Sequence, residues 1–141
     1  MATEPSSQIV LQAKLEQLPD LERWVTTLAA DYHLPPALVH RVDLCLCEIM
    51  TNLIDYGYPD GGVGTVSIRF WRLPEQIIVR IDDDGAPFDP TSYVPSDLPS
   101  SLEEAAIGGR GIRLVRHFAD GLHHLREGSA NQLTLVFCSP S

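Results

Sequence analysis

The stretch TVSIRFWRLPEQIIVRID, residues 65–82, constrains the fold more than any other part of the chain. Val66, Ile68 and Phe70 alternate with Ser67 and Arg69, and Ile77, Val79 and Ile81 share one face with Ile78 and Arg80 on the other. Alternation at period two predicts half-buried strands. The RLPEQ segment between them is a tight turn, so the two runs are expected to be antiparallel hairpin neighbours. A hairpin with one apolar face is not stable alone and needs a second layer over it.

The rest of the chain supplies that layer. Residues 1–7 read as a loose tail, and IVLQAKL as an edge strand. LPDLERWVTTLAADYHL predicts a helix, with Asp20 as a candidate cap and Leu21, Trp24, Val25 and Leu28 recurring at helical spacing. Prolines 35 and 36 punctuate the chain, and the second suits a first helical turn. A longer helix is expected from about Ala37 to Tyr56, with Leu38, Val42, Cys45, Ile49, Leu53 and Tyr56 as its apolar stripe. Gly57 and YPDGGVG end it. After the hairpin, residues 90–108 are rich in Pro, Ser and Gly and too long for an ordinary connection, which suggests a lid or binding loop. IRLVRHFAD reads as a helix. GLHHLRE and NQLTLVFC form a last antiparallel pair joined by GSA, with Leu133, Leu135 and Phe137 on one side. The order predicts a two-layer α+β sandwich, with a mixed, mostly antiparallel sheet and helices on one face. The 141 residues suit a single domain, 1–141.

Composition removes several classes. There are 19 acidic and 10 basic residues, a formal charge of -9, which argues against direct nucleic-acid binding. No apolar run approaches the length of about 18 residues that a membrane span needs, and the N-terminus lacks a signal-peptide pattern. Three cysteines, Cys45, Cys47 and Cys138, form no disulfide framework and suggest reduced thiols in the cytoplasm. There is no GxxxxGK phosphate loop, and the glycines at 108, 109 and 111 fail the dinucleotide fingerprint because no strand leads into them.

Three constellations remain. On the long helix, Glu48 and Asn52 are one turn apart, with Asp55 three further on. That face is expected roughly opposite Leu38, Val42 and Ile49. An amide oxygen can coordinate a divalent ion, and a carboxylate can orient or deprotonate a hydroxyl or water. An ordinary solvated helix face is the plain alternative. In DDDGAPFD, Asp83 falls just past the strand end. An ionised aspartate only accepts hydrogen bonds, so it suits a ligand amino group such as that of adenine. Gly85 permits close backbone approach. Asp82, Asp84 and Asp89 are expected to face solvent, and an acidic turn is the plain alternative for all of them. In IGGRGIRLVRHF, glycines before a helix start expose N–H groups to phosphate, with Arg110 inside the turn. A hinge would explain the same glycines.

Taken together, the three stretches resemble the N, G1 and G2 boxes of the GHKL, or Bergerat-fold, ATPase and kinase superfamily. The resemblance covers roughly residues 8–138 and is strongest to the small bacterial anti-sigma-factor serine/threonine kinases. It implies ATP and Mg²⁺ as cofactors. It implies Glu48 as catalytic base, Asn52 as magnesium ligand and Asp83 as adenine reader. Gly85 and Pro87 complete the second box, and Gly108, Gly109, Arg110 and Gly111 lie beside the phosphates. Thr134 is implied near adenine. The chain departs from the family in having Tyr56 where many relatives have His, and GRGI where GLGL is common; Arg110 and Arg113 add positive charge there. The implied activity is an ATP-dependent protein kinase that phosphorylates a small STAS-like anti-sigma-factor antagonist. A sigma factor or other regulatory protein is the implied second partner, and a homodimer the implied assembly. A noncatalytic ATP-dependent binding switch, a plain ATP hydrolase and a ligand-free structural domain are the competing readings.

Overall fold

In the computed structural model of the chain, the described residues are 4–87 and 115–138. Five strands are present: β1 (Ser7–Gln12), β2 (Thr65–Arg72), β3 (Gln76–Asp83), β4 (Gly121–Glu127) and β5 (Ala130–Cys138). Two helices, α1 (Leu18–Asp31) and α2 (Pro36–Tyr56), lie between β1 and β2, and a short 3-10 turn, Leu15–Gln17, leads into α1. The sheet order is β1-β2-β3-β5-β4. All four pairings are antiparallel, so the parallel component of the expected mixed sheet is absent among the described strands.

The alternating hairpin sets this arrangement. Val66, Ile68 and Phe70 of β2 and Ile77, Val79 and Ile81 of β3 are all buried, with Leu133, Leu135 and Phe137 of β5 on the same face. Leu21, Val25 and Leu28 of α1 and Leu38, Val42, Cys45, Leu46 and Met50 of α2 cover them. A side chain such as Phe70 or Ile77, fully buried here, contributes about 1.5–3 kcal/mol relative to exposure. A one-residue slip of β3 would turn Ile77, Val79 and Ile81 outward together, so the β2–β3 register, Ile68 opposite Ile81, is strongly specified.

Several local expectations are corrected. Asp20 does not cap α1; Gln17 holds the N-cap position, and Asp20 lies in the first turn, where it accepts from Gln17 Nε2 at 2.9 Å and pairs with Arg23. Residues 6 and 7 are not a loose tail. The Ser6 N–H donates to Phe70 O, Ser6 Oγ accepts from the Arg72 N–H, and Ser7 Oγ accepts from Trp24 Nε1. The buried stripe of α2 runs through Leu46 and Met50, whereas Tyr56 is 46% exposed. Leu53 is the last α2 side chain of that stripe packed on the core, and the final turn extends beyond its cover.

A segment entering β4 ties α2 to the far side of the sheet. Residues 115–118 are helical, and Val115 is buried. Arg41 on α2 donates to Phe118 O at 3.0 Å and to Asp120 at 2.8 Å, with its guanidinium 5.7 Å from the Phe137 ring centre. Asp120 also accepts from the Cys138 N–H, and that bond, then the Arg41 contact, holds its carboxyl below the usual carboxylate range.

Candidate nucleotide site

The three carboxylates at the end of β3 have separate surroundings. Strand alternation puts Asp83 on the helix-covered face with Ile81, and Asp82 on the open face. There Asp82 accepts from Arg80 at 2.8 and 2.9 Å and from Arg69 at 3.2 Å, so it belongs to a cross-strand ion pair rather than to open solvent. Asp84, beyond the strand, is exposed as expected but bonded: it accepts from the Tyr58 hydroxyl at 2.6 Å and from the Thr65 N–H at 3.2 Å. The Tyr58 bond, the larger cause, and the Thr65 amide hold the Asp84 carboxyl below its ordinary range. Burial and the same carboxylate push the Tyr58 phenol up. Asp89 lies outside the described residues.

Asp83 is the last residue of β3, not one past it. Its Oδ1 accepts from the Gly85 N–H at 2.9 Å and from Asn131 Nδ2 at 3.0 Å. A carboxylate held by two N–H groups is fixed in orientation. Gly85 is buried, and its backbone is pressed against the end of α2: a Cβ there would meet Gly57 O at 2.9 Å and Leu53 Cδ1 at 3.2 Å. The Ala86 N–H donates to Gly57 O at 2.7 Å. Glycine is therefore required at 85 by close approach, as the sequence suggested. Pro87 follows at the exposed end of this turn. A narrow apolar recess between α2 and the sheet, lined by residues that include Ile49, Met50, Leu53 and Ile81, adjoins the turn.

Glu48 and Asn52 do not lie opposite the buried stripe of α2. Both are half-buried at its border, while Asp55 is exposed. Among the described residues, Asn52 Nδ2 is buried without a hydrogen-bond partner. An unsatisfied buried amide is uncommon and marks a place where a polar ligand is expected. Through Oδ1 an asparagine can also hold a divalent cation. The donor set thus fits a metal–phosphate group. A second cluster, Glu22, Asp43 and Cys47, brings ligand atoms within 4.8 Å of one another at the α1–α2 contact. Burial first, then Asp43 and Glu22, pushes the Cys47 thiol up to about 11, which keeps it protonated at neutral pH. Cys45 is pushed up to about 12, mainly by burial, and is likewise an inert core thiol. Cys138 is exposed.

Thr134 is not brought to the site. It lies between buried Leu133 and Leu135 in β5, so its side chain projects from the open face, with Arg80 and His123 as cross-strand neighbours. Gly108, Gly109, Arg110 and Gly111, Arg113, and the 90–108 loop lie outside the described residues. Two residues that sequence reasoning missed are present instead. Asn131, directly opposite Asp83 in the β3–β5 register, is 4% exposed and donates through Nδ2 to Asp83 Oδ1 and to Ala86 O at 2.9 Å. Arg126, opposite Asn131 on β4, donates to Gly85 O at 2.9 Å. Periodicity carried half the signal, since Asn131 shares the parity of Leu133; only the register pairs it with Asp83.

An antiparallel sheet covered on one face by two helices, with a strand-end aspartate turn docked on the C-terminal end of the second helix, is the frame of a GHKL-type ATP-binding domain. The chain belongs to the histidine kinase-like ATPase domain family, whose pattern matches residues 11–137. Among curated relatives it is similar to the serine/threonine-protein kinase BtrW of Bordetella bronchiseptica, with 30% identity over 113 residues, 80% of each chain. It is also similar to the serine-protein kinase RsbW of Halalkalibacterium halodurans, 22% identical over 102 residues, covering 70% of this chain and 61% of that one. Among solved structures, the histidine kinase domain from the blue-light activated histidine kinase of Erythrobacter litoralis superposes with a TM-score of 0.55 at 17% identity, over 97% of this chain and 69% of the other. That last likeness concerns the fold. The family makes this a kinase-like, ATP-binding domain. Among the described residues, no helix is long and apolar enough to cross a membrane.

Proposed function

We propose that the chain is an ATP-dependent protein serine/threonine kinase that phosphorylates a small STAS-like anti-sigma-factor antagonist and, as a homodimer in the cytoplasm, also binds a sigma factor. The observation that carries the catalytic part is the half-buried Glu48–Asn52 pair, whose amide Nδ2 is buried and has no partner among the described residues. The similarity to BtrW, named a serine/threonine-protein kinase, supports the acceptor class. Three free cysteines accord with a reducing compartment.

In this reading Asp83 accepts a hydrogen bond from the adenine amino group, and the close approach of Gly85 lets the ring lie against the backbone. Pro87 shapes the same turn, and Gly108, Gly109, Arg110 and Gly111 donate to the phosphates. Mg²⁺, when bound with ATP, neutralises phosphate charge, and Asn52 would hold it through Oδ1. Glu48 orients a serine or threonine hydroxyl of the partner and takes its proton. The hydroxyl oxygen bonds to the γ-phosphorus as the bond to the ADP oxygen breaks.

The test is incubation of the full chain with MgATP labelled at the γ-phosphate and the STAS-like protein encoded nearest to it. Labelled phosphoserine or phosphothreonine on that protein, absent with Glu48→Ala, is the expected result. Retained ATP binding without any phosphoprotein would replace the kinase with a binding switch. Phosphate released at the same rate without the partner would make it a hydrolase.

A further inference from the structure

We propose that Arg41 is a positioning residue for Glu48 and Asn52, which keys the axial position of α2 to the sheet so that the pair meets the phosphates of a nucleotide held at the β3 end. The inference rests on the reading of Glu48 and Asn52 as the phosphate-side pair and goes beyond it by naming what places them.

Arg41 precedes Glu48 by seven residues and Asn52 by eleven. At roughly 3.6 residues per turn these are close to two and three whole turns, so the three side chains share one stripe of α2. All three are half-buried. The adjoining apolar face, with Leu38, Val42, Leu46 and Met50, packs on the core. Apolar contact is non-directional, so it holds the layers together without fixing a slide along the helix axis. Directional bonds fix that slide at two points. At the C-terminal end, Gly57 O accepts from the Ala86 N–H at 2.7 Å. Toward the N-terminal end, Arg41 Nε donates to Phe118 O at 3.0 Å and Nη2 donates to Asp120 Oδ2 at 2.8 Å. Among the described residues, no other α2 side chain hydrogen-bonds to another element; the bonds of Cys47 and Thr51 stay within the helix. Glu48 and Asn52 lie between the two points.

The receiving side is itself held to β5. The Asp120 N–H donates to Val136 O at 2.8 Å, and the same Oδ2 accepts from the Cys138 N–H at 2.7 Å. The other end of β5 sets Asn131 against Asp83. The tie therefore gauges α2 against the strand that braces the base end. Stability is a weak reason for it. The Arg41 and Asp120 side chains are 28% and 42% exposed, and an ion pair this open to water adds little. A planar fork that bonds a carbonyl and a carboxylate at once fixes direction, which a lysine ammonium does not.

Arg41→Gln in the full chain tests this, beside Asp120→Leu and Asp120→Asn, with thermal melts to check folding. Two quantities are read: ATP affinity with and without Mg²⁺, and phosphotransfer to the STAS-like partner at saturating MgATP. Arg41→Gln should bind ATP without Mg²⁺ as wild type does and lose most of the affinity that Mg²⁺ adds. Its transfer should slow by about 10–100-fold, the scale of a displacement of about 1 Å at the reacting groups. Asp120→Leu should behave alike, whereas Asp120→Asn, whose amide oxygen can accept both bonds, should stay close to wild type. Should Arg41→Gln fail to fold, Arg41→Lys keeps the charge without the fork and carries the same comparison. A lowered melting temperature with the Mg²⁺ gain and the transfer rate unchanged overturns the proposal. An equal loss of affinity with and without Mg²⁺ also overturns it, because the base end would then have moved as well. The affinity arm needs no phosphotransfer, so it decides the matter equally for a chain that only binds ATP. Asn52→Ala is the control for the underlying reading. If it keeps the wild-type Mg²⁺ gain, or wild type shows none, the metal assignment fails and the positioning of Asn52 with it. If Asn52→Ala loses the gain while Arg41→Gln keeps it, only the role of Arg41 fails.

Discussion

The end of β3 and the polar border of α2 meet at Gly57, yet they differ in how firmly their side chains are held. At the β3 end every aspartate is tied: Asp82 to two arginines, Asp83 to Gly85 and Asn131, Asp84 to Tyr58 and Thr65. On α2, Asn52 has a buried Nδ2 with no partner among the described residues. The β3 end is thus pre-organised, so a base that docks there costs little reordering. In the proposed reading the α2 pair is completed when phosphates and a cation arrive. Binding and chemistry would then be separable, and substitutions on the two sides should fail in different ways.

The largest expected effect is on the α2 side. Glu48→Ala should lower phosphotransfer by roughly 10²–10⁴-fold, the usual contribution of a positioned general base, while ATP affinity stays near wild type. Single-turnover transfer measured beside equilibrium nucleotide binding checks this. Loss of ATP binding in Glu48→Ala would show that the two regions are not separable. On the β3 side, Asp83→Asn should do the opposite and weaken ATP binding by about 10–100-fold, since a charge-assisted hydrogen bond contributes about 1.5–3 kcal/mol. The asparagine also turns an N–H toward groups that the carboxylate accepts from. Isothermal titration settles the matter, and equal affinities would overturn the adenine assignment.

A smaller effect probes how the β3 end is braced. The Tyr58 ring packs so closely over Gly64 that a Cβ there has no room, and its hydroxyl donates to Asp84. Tyr58→Phe should cost about 0.5–1.5 kcal/mol of stability at neutral pH, the range for one net hydrogen bond. Because the folded state holds the Asp84 carboxyl low, its contribution is full above the ordinary carboxylate range and is lost as pH falls through the depressed value. The Tyr58 phenol is raised, so its contribution is full below the ordinary tyrosine value and fades only as pH rises through the raised one. The stability difference between wild type and Tyr58→Phe in urea melts should therefore be flat through neutrality and shrink in acid. A difference that grows in acid would show that the hydroxyl is not bonded to the carboxylate. Asp84 is exposed, so added salt should weaken the effect.

Most of this frame was legible because it rests on short-range periodicity. The alternation of Val66, Ile68 and Phe70 with Ile77, Val79 and Ile81 defined the central hairpin and the covered face. Asp83 was set apart from Asp82 by its place at the end of that strand and by the spacing of the resemblance. What was not legible depends on register or on the ends of elements. Asn131 meets Asp83 across 48 residues of sequence, and no local pattern encodes that pairing. Arg126 joins them through the further β4–β5 register. Tyr56 continues the apolar spacing of α2, but its burial depends on where the sheet stops covering the helix. Asp20 resembles a cap in sequence, yet the preceding 3-10 turn starts the helix at Leu18 and leaves it in the first turn.

Thr134 gives the smallest expected effect and the sharpest contrast with Asn131. The resemblance assigned a late-strand threonine to the adenine, and NQLTLVF contains one such residue. Yet Leu133, Leu135 and Phe137 all face the helices, so the period of two already turns Thr134 to the other side. Asn131 has the inward parity and the bond to Asp83. Thr134→Val should accordingly leave ATP affinity unchanged, and valine, β-branched like threonine, keeps the strand's preferences. Any stability change should be within about 0.5 kcal/mol, as for a surface substitution without a special role. Asn131→Ala should weaken ATP binding under the same conditions. Titrating ATP into the two variants in parallel compares the faces of one strand directly. A loss confined to Thr134→Val would mean that the nucleotide is read from the open face, and that the partly tied Asp83 carboxylate serves the turn alone.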